Sequence, residues 1–433
     1  MKPKFDLVEC GLCLIGATVM VSQMAVRIPS NHSSAVSGRV ETAQVASVSA
    51  RAGSGDGTTQ FGASATAVID MIEPVGAPRL SGVAAHGECA SELLADELDT
   101  MLNATPAGFS GSDYPHAYPL GEGRILWLFQ DVFHGGGDTL SEAAFAHNGG
   151  FVQTGGCVQS LQQGVAVEPR SLVGGDLEVR RHRWFWPLDG EIGADGNLWV
   201  FFAEMANPNG TGAAMGAVPI GTWVVVFDPG TLEIVSFERA ADDSAALYGW
   251  SIASDEQYSY LFGHCYRQFV PDTPLGLDPS CSPHVVLARV PLGEFDAAPE
   301  YFVGSGSPSD QGEGWGRDPS SAVPVSSRGL ANGASVERFG NAYVSVTKVD
   351  DWFGDELVVS VAAAPEGPWH DVASHPVSTR CGRCNTYGTF VMPWLEDGRL
   401  VVAVSNNSFE MQRDAFSDAT LYRPSIVVLS IDA

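Results

Sequence analysis

One pattern of hydrophobic and polar positions recurs five times along this chain. A tight polar turn leads into a run of mostly apolar residues, and the run closes on a polar side chain. The copies are Gly123-Arg-Ile-Leu-Trp-Leu-Phe-Gln-Asp131, Gly196-Asn-Leu-Trp-Val-Phe-Phe-Ala-Glu204, Glu256-Gln-Tyr-Ser-Tyr-Leu-Phe-Gly-His264, Gly340-Asn-Ala-Tyr-Val-Ser-Val-Thr-Lys348 and Gly398-Arg-Leu-Val-Val-Ala-Val-Ser-Asn406. In each copy the closing residue stands eight positions after the turn residue. Apolar runs of this length, bounded by Gly, Asn and Asp, predict strands that leave hairpin turns. Further strands are expected at Trp223–Phe227 with Ile234–Phe237, His284–Val290, Glu356–Ala362 and Ile426–Ile431, punctuated by Asp228-Pro-Gly and Glu366-Gly-Pro.

The closing positions are 73, 60, 84 and 58 residues apart, close to the size of a four-stranded blade with variable loops. No long segment shows a 3.6-residue apolar period. The chain therefore predicts an all-β fold, a five-bladed β-propeller over residues 85–433, with the last strand completing the blade that contains the first. A β-sandwich is the alternative architecture, because strand alternation alone does not prove closure. In a ring of blades, Asp131, Glu204, His264, Lys348 and Asn406 would converge on one face.

Residues 1–26 carry Lys2 and Lys4 and then an apolar run from Gly11 to Val26, which predicts a signal peptide, with a membrane anchor or a lipid-modified Cys13 as alternatives. Residues 27–84, rich in Ser, Ala and Gly, read as a flexible, disordered linker. The expected location is secreted or attached to the cell envelope. The chain holds 51 acidic against 23 basic residues, a net charge of −28, and only three lysines. Such a field argues against nucleic acid and anionic membrane as partners and permits a neutral or cationic substrate. A monomer is expected.

Six of the eight cysteines lie beyond the leader, an even number that points to disulfides in an exported chain. Cys265 and Cys281 could staple one loop. Cys381-Gly-Arg-Cys384 reads as a structural pair or two half-pairs, in preference to a redox motif or half a zinc site, since no second C-x-x-C occurs.

The first hairpin carries the sharpest chemistry. Asp113 and Asp131 are symmetric about the turn Gly121-Glu122-Gly123, so a regular antiparallel pairing would set them face to face, with Cβ atoms about 4.5–5.5 Å apart. Opposed carboxylates repel unless one is protonated or a cation intervenes. Glycoside hydrolysis uses such a pair: one carboxyl protonates the leaving oxygen while the other attacks the anomeric carbon or activates water. Around them, Trp184-Phe-Trp186-Pro-Leu-Asp189 offers an indole face and an acid for a sugar subsite. Glu204, His264, Lys348 and Asn406 are candidate substrate-binding groups. For each, a structural role is the alternative: turn formation for Asp189, packing for one of the two tryptophans, a satisfied core imidazole for His264. No metal is assigned to the site and no cofactor is required. A bound Ca²⁺ on Asp131, Glu204 and Asn406 remains an open reading, without a contiguous acidic loop to support it. The G-x-S-x-G elbow and the P-loop are absent.

Asp113-x4-Tyr-Pro-Leu-x3-Arg-Ile-Leu-Trp-Leu-Phe-Gln-Asp131, with Phe133, resembles the opening of a bacterial propeller family long held as a domain of unknown function. That family's phrase is an Asp, a Gly-rich turn and Leu-Trp-Leu-Phe-Gly-Asp-Thr; here Gln-Asp-Val stands at its end. Trp184-Phe-Trp-Pro and Asn406-Asn407 are also similar to it. Some members are endo-D-arabinanases, five-bladed glycoside hydrolases that cut the arabinan of actinobacterial walls. The resemblance implies that Asp113 and Asp131 are the acidic pair, one as nucleophile or base and the other as acid, acting on a polysaccharide. A catalytically silent carbohydrate-binding propeller is the second reading and a polysaccharide lyase the third.

Overall fold

The computed structural model describes residues 79–85, 89, 92–104, 108–135, 137–165, 168–175, 183–206, 217–242, 246–264, 284–304, 314–326, 335–349 and 354–431. The predicted leader and nearly all of the linker lie outside them, as do Cys265 and Cys281.

Five antiparallel sheets follow one another along the chain. The first holds β1 (Arg79–Ala85), β2 (Phe109–Gly121), β3 (Arg124–His134), β4 (Ala144–Thr154), β5 (Cys157–Val165) and β6 (Glu168–Arg170), with helix α1 (Ala95–Asn103) between β1 and β2. The second is β7 (Arg183–Ile192), β8 (Leu198–Ala206), β9 (Val218–Phe227) and β10 (Ile234–Arg239). The third is β11 (Ser251–Ser254), β12 (Tyr258–His264), β13 (Val285–Pro291), β14 (Glu300–Phe302) and β15 (Trp315–Gly316). The fourth is β16 (Ser335–Phe339), β17 (Ala342–Lys348), β18 (Glu356–Ala362) and β19 (His370–Pro376), and the fifth β20 (Cys384–Glu396), β21 (Arg399–Ser408) and β22 (Ser425–Leu429). The innermost strands touch in cyclic order, β2 with β7, β7 with β11, β11 with β16, β16 with β20 and β20 with β2. That closed ring makes the fold a five-bladed propeller.

The recurring phrase is the second strand of every blade: β3, β8, β12, β17 and β21. Its continuous apolar run follows from position, since a second strand is covered on both faces by neighbouring blades. On β3, Leu126 and Leu128 enter the seam with blade two, while Trp127 and Phe129 enter the seam with blade five. On β17, Val344 and Val346 enter the seam with blade five, whereas Ser345 and Thr347 alternate to the side of blade three.

The ring does not close through a shared sheet as the sequence suggests. The last described strand, β22, pairs with β21 and belongs to blade five; the outer strand β1 pairs with β5 inside blade one. Closure falls instead to α1, a nine-residue helix too short for a search for long 3.6-residue periods to detect. Leu98, Met101 and Leu102, spaced i, i+3 and i+4, pack into the core shared by blades one and five. Asp99 of this helix accepts the Ile426 amide at 2.8 Å, capping the edge of β22. Arg423, just before β22, is 4% exposed; it donates to the carbonyls of Ser110 (2.8 Å), Asn103 (2.7 Å) and Gly137 (3.1 Å).

Among the described residues two disulfides are formed, Cys89–Cys157 and Cys381–Cys384. The second joins the two cysteines of the C-x-x-C to each other, and it closes the turn that opens β20.

Candidate active site

The β2–β3 ladder breaks where the two aspartates lie. Ser112 pairs with Val132 and Asp113 with Gln130, so Asp131 is an extra residue in β3. The aspartates are therefore diagonal neighbours rather than the directly opposed pair that regular pairing predicts. A second irregularity follows at once. Tyr114 and Pro115 bulge outward before His116 pairs with Leu128, and Tyr114 sits at φ 42°. Proline brings no amide to the ladder, and the Tyr114 amide donates instead to Ser405 Oγ of blade five at 2.8 Å. Bulges re-aim side chains, and a positive φ on a bulky residue costs energy that the surrounding structure must offset.

Asp113 is 8% exposed. Its Oδ2 accepts from the Tyr387 hydroxyl at 2.8 Å, the Tyr422 hydroxyl lies near the carboxyl, and Oδ1 is buried with no hydrogen-bond partner among the described residues. Burial, and after it the neighbouring charge of Asp131, push Asp113 up to about 8, against the lowering effect of the two tyrosines. Asp131 is 9% exposed, and its Oδ1 accepts from Trp186 Nε1 at 2.9 Å and meets His147 Nδ1 at 2.8 Å. The His147 ring stacks on Trp184 with centroids 4.4 Å apart. One tryptophan of the Trp184-Phe-Trp186 phrase is thus buried packing, and the partly exposed one touches the acid.

Across from Asp113, the partly exposed Tyr114 ring meets Tyr387 (5.4 Å between centroids) and Trp250 (6.2 Å). Gly388 makes this approach possible: a Cβ there would stand 2.5 Å from the Tyr114 ring. His264, 2% exposed, lies against Trp250 at 4.4 Å between centroids, which places it behind the aromatic wall.

The other sequence candidates serve structure: Glu204, Lys348 and Asn406 hold their own blades together, and Asp189 joins two. Both oxygens of Glu204 are engaged, Oε1 by Arg183 (2.9 Å) and Oε2 by Arg239 (3.0 Å) and Trp223 Nε1 (2.8 Å). Asn406 donates to the Arg423 carbonyl (2.8 Å) and Ser425 Oγ (3.0 Å). Lys348 donates to the Gly354 carbonyl. Asp189 accepts the Ile252 and Gly190 amides (2.7 and 2.8 Å) and so ties blade two to blade three. Burial raises it to about 7, and its charged neighbours are Glu191 and Glu337 rather than the Asp113–Asp131 pair. Asp131, Glu204 and Asn406, the oxygen donors of the calcium reading, each answer to different partners. Among the described residues no group of three His, Cys, Asp or Glu is disposed to hold a metal ion.

Sequence reasoning missed Tyr387, Tyr422, His147, Tyr114 and Trp250. It looked to the ends of second strands, whereas much of the site comes from innermost strands. A signal was present: Asp113 and Trp186 each stand ten residues before the turn residue of their blade, and Tyr387 eleven before Gly398.

Fold and site together define a five-bladed propeller with a buried carboxyl pair under an aromatic wall, in which burial and the charge of Asp131 raise Asp113. The chain belongs to the family described as a domain of unknown function, DUF5005, whose profile matches residues 96–430. No functionally curated protein matches it. Among solved structures it is similar to a candidate hydrolase from Bacteroides ovatus ATCC 8483, at 19% identity and TM-score 0.59, covering 76% of this chain and 88% of that one. It is similar more loosely to a GH43_1 enzyme from Xanthomonas citri (15% identity, TM-score 0.39, 77% and 93% covered). Bacillus subtilis levansucrase is comparably distant (9% identity, TM-score 0.41, 81% and 98% covered).

Proposed function

We infer that this protein is a glycoside hydrolase acting on a polysaccharide, with Asp113 as general acid and Asp131 as its carboxylate partner. The observation that carries the reading is the pair itself. Two buried carboxyls meet at a double break in one hairpin, and their surroundings hold Asp113 protonated up to about pH 8 beside the charge of Asp131. Pairs of acids held in opposite protonation states divide the acid and base roles between them. In the reaction, the Asp113 proton passes to the glycosidic oxygen as the bond to the anomeric carbon breaks. Asp131 then either bonds to that carbon or takes a proton from the attacking water. Trp186 and His147 fix Asp131 in place, and the exposed faces of Trp186, Tyr114 and Trp250 offer stacking surfaces for sugar rings.

The substrate we propose is D-arabinan, cut internally, on the likeness of the Asp113–Asp131 motif to endo-D-arabinanases. Its setting would be the cell envelope or the medium, with the protein acting as a monomer and needing no cofactor. The test is reducing-sugar release from a polysaccharide panel that includes actinobacterial arabinogalactan, with wild type beside Asp113→Asn and Asp131→Asn. Release by wild type alone supports the assignment. Binding without turnover, unchanged in both variants, would instead make the protein a carbohydrate-binding propeller. Products with an unsaturated, ultraviolet-absorbing sugar would make it a lyase.

A further inference from the structure

One cavity among the described residues lies away from the acid pair. It is a cleft of about 720 Å³ between blades three and four, within the range of about 300–1,000 Å³ typical of small-molecule sites. Its existence follows from a departure in the pattern that builds the other seams. On β17 the side facing blade three begins with Tyr343, which packs into that seam, and continues with Ser345 and Thr347. On β18 the corresponding residue is Ser360, whose Oγ donates to Asp371 Oδ1 at 2.7 Å. The opposite side of the same strands carries Val344, Val346, Leu357 and Val359 and is packed tightly against blade five. A seam with hydroxyls on one wall cannot close as an apolar one does, and the blades stand apart there.

The lining selects a class of ligand. Ser345, Thr347 and Ser360 are 7%, 5% and 7% exposed, so their hydroxyls form the floor, while Asp371 and His370 stand exposed at the mouth. Trp369, partly exposed, forms one wall with an edge against Phe262 (6.3 Å between centroids). Its Nε1 is buried without a hydrogen-bond partner among the described residues. Among the described residues no lysine or arginine lines the cleft, and the net charge of −28 repels anions, so phosphorylated or uronate ligands are disfavoured. Hydroxyl donors and acceptors on the floor, an indole wall and a single carboxylate suit a neutral polyhydroxylated ligand.

We propose that the cleft between blades three and four is a second binding site, for a neutral oligosaccharide, separate from the acid pair. It would hold a stretch of chain without cutting it. The argument stands on the cleft and does not depend on hydrolysis at Asp113 and Asp131.

The test is titration calorimetry of the full chain with linear arabinan-, xylan- and starch-derived oligosaccharides of four to six units. The variants are Trp369→Ala, Ser345→Leu, which fills the floor, and Asp113→Asn, which leaves the cleft untouched. The expected result is binding that survives Asp113→Asn and weakens about tenfold or more in Trp369→Ala and in Ser345→Leu, the loss typical of a central aromatic anchor. If Trp369→Ala does not fold, Ser345→Leu alone decides. Binding lost in Asp113→Asn but unchanged in Ser345→Leu would place the sugar at the propeller axis and overturn the proposal. Absence of binding by every oligosaccharide to the folded wild type would overturn it as well. Reducing-sugar release by the wild type decides the hydrolase assignment separately, so either reading can fail alone.

Discussion

Replacing Asp113 by Asn should stabilise the protein, and more so as the pH rises. The carboxyl is 8% exposed and is raised from its ordinary 3.8 to about 8 by burial and by Asp131. Between those two values the folded protein holds a proton that the unfolded chain has already lost. Stability therefore falls as pH rises through this window, and the deficit is complete above about pH 8. Some four units at about 1.4 kcal/mol each set the deficit on the order of 5 kcal/mol. The amide is nearly the same shape as the protonated acid, can accept from Tyr387 through its oxygen, and never ionises. For a domain of this size the gain corresponds to a melting temperature higher by roughly 7 °C at pH 8.5. The assay is thermal unfolding of wild type and Asp113→Asn at intervals from pH 4 to 9. The two melting curves should converge near pH 4 and separate steadily above it. A difference that does not change with pH would refute the reasoning, because it would show that the folded state does not hold Asp113 protonated.

Three further outcomes follow from the same geometry. Tyr387→Phe removes a hydroxyl that favours the ionised form of Asp113; a hydrogen bond to a charged group is worth about 1.5–3 kcal/mol, so the alkaline limb of the kcat/KM profile should move up by about one to two units, read from pH–rate curves. Gly388→Ala places a methyl group 2.5 Å from the Tyr114 ring at a residue with φ 56°, so turnover should collapse while α1 and the blade-five closure persist, checked by activity beside circular dichroism. Arg423→Met strands three backbone carbonyls and unlatches blade five from blade one; about 3 kcal/mol of stability should be lost, seen in denaturant unfolding, whereas Arg338→Met, whose partner Glu256 is exposed, should cost under about 1 kcal/mol.

The blades were legible because second strands are covered on both faces, which compels an apolar run, and because every run needs a turn before it. Those two demands repeat five times and survive large differences in loop length. Closure was not legible for a related reason. α1 buries a stripe of only Leu98, Met101 and Leu102, and three residues leave little periodic signal in a chain rich in short apolar runs. The site was half legible. Asp113, Asp131 and Trp186 could be found because the chemistry of opposed acids and an indole face is visible in one dimension. Tyr387 and Tyr422 approach Asp113 from 274 and 309 residues away, and their part depends on how blade five meets blade one.

Five closing residues are equivalent by spacing, yet in only one does the structure form an acid pair, and the reason lies in the register. Glu204 and Asn406 sit in blades whose arginines and serines engage them, so their polarity is consumed in holding sheets together. Asp131 is the extra residue of a bulge, and across that bulge Pro115 withholds an amide while Tyr114 turns its own toward Ser405. The ladder therefore cannot straighten, and the two acids stay close without pairing in register. The same few residues also seat the closure: Ser110 accepts from Arg423, and the neighbouring Tyr422 lies near the Asp113 carboxyl. Joining the ends of the ring and holding a buried proton are thus one construction. A loosened clasp should lower Asp113 towards its ordinary value, through water admitted to the carboxyl, before the blades themselves come apart.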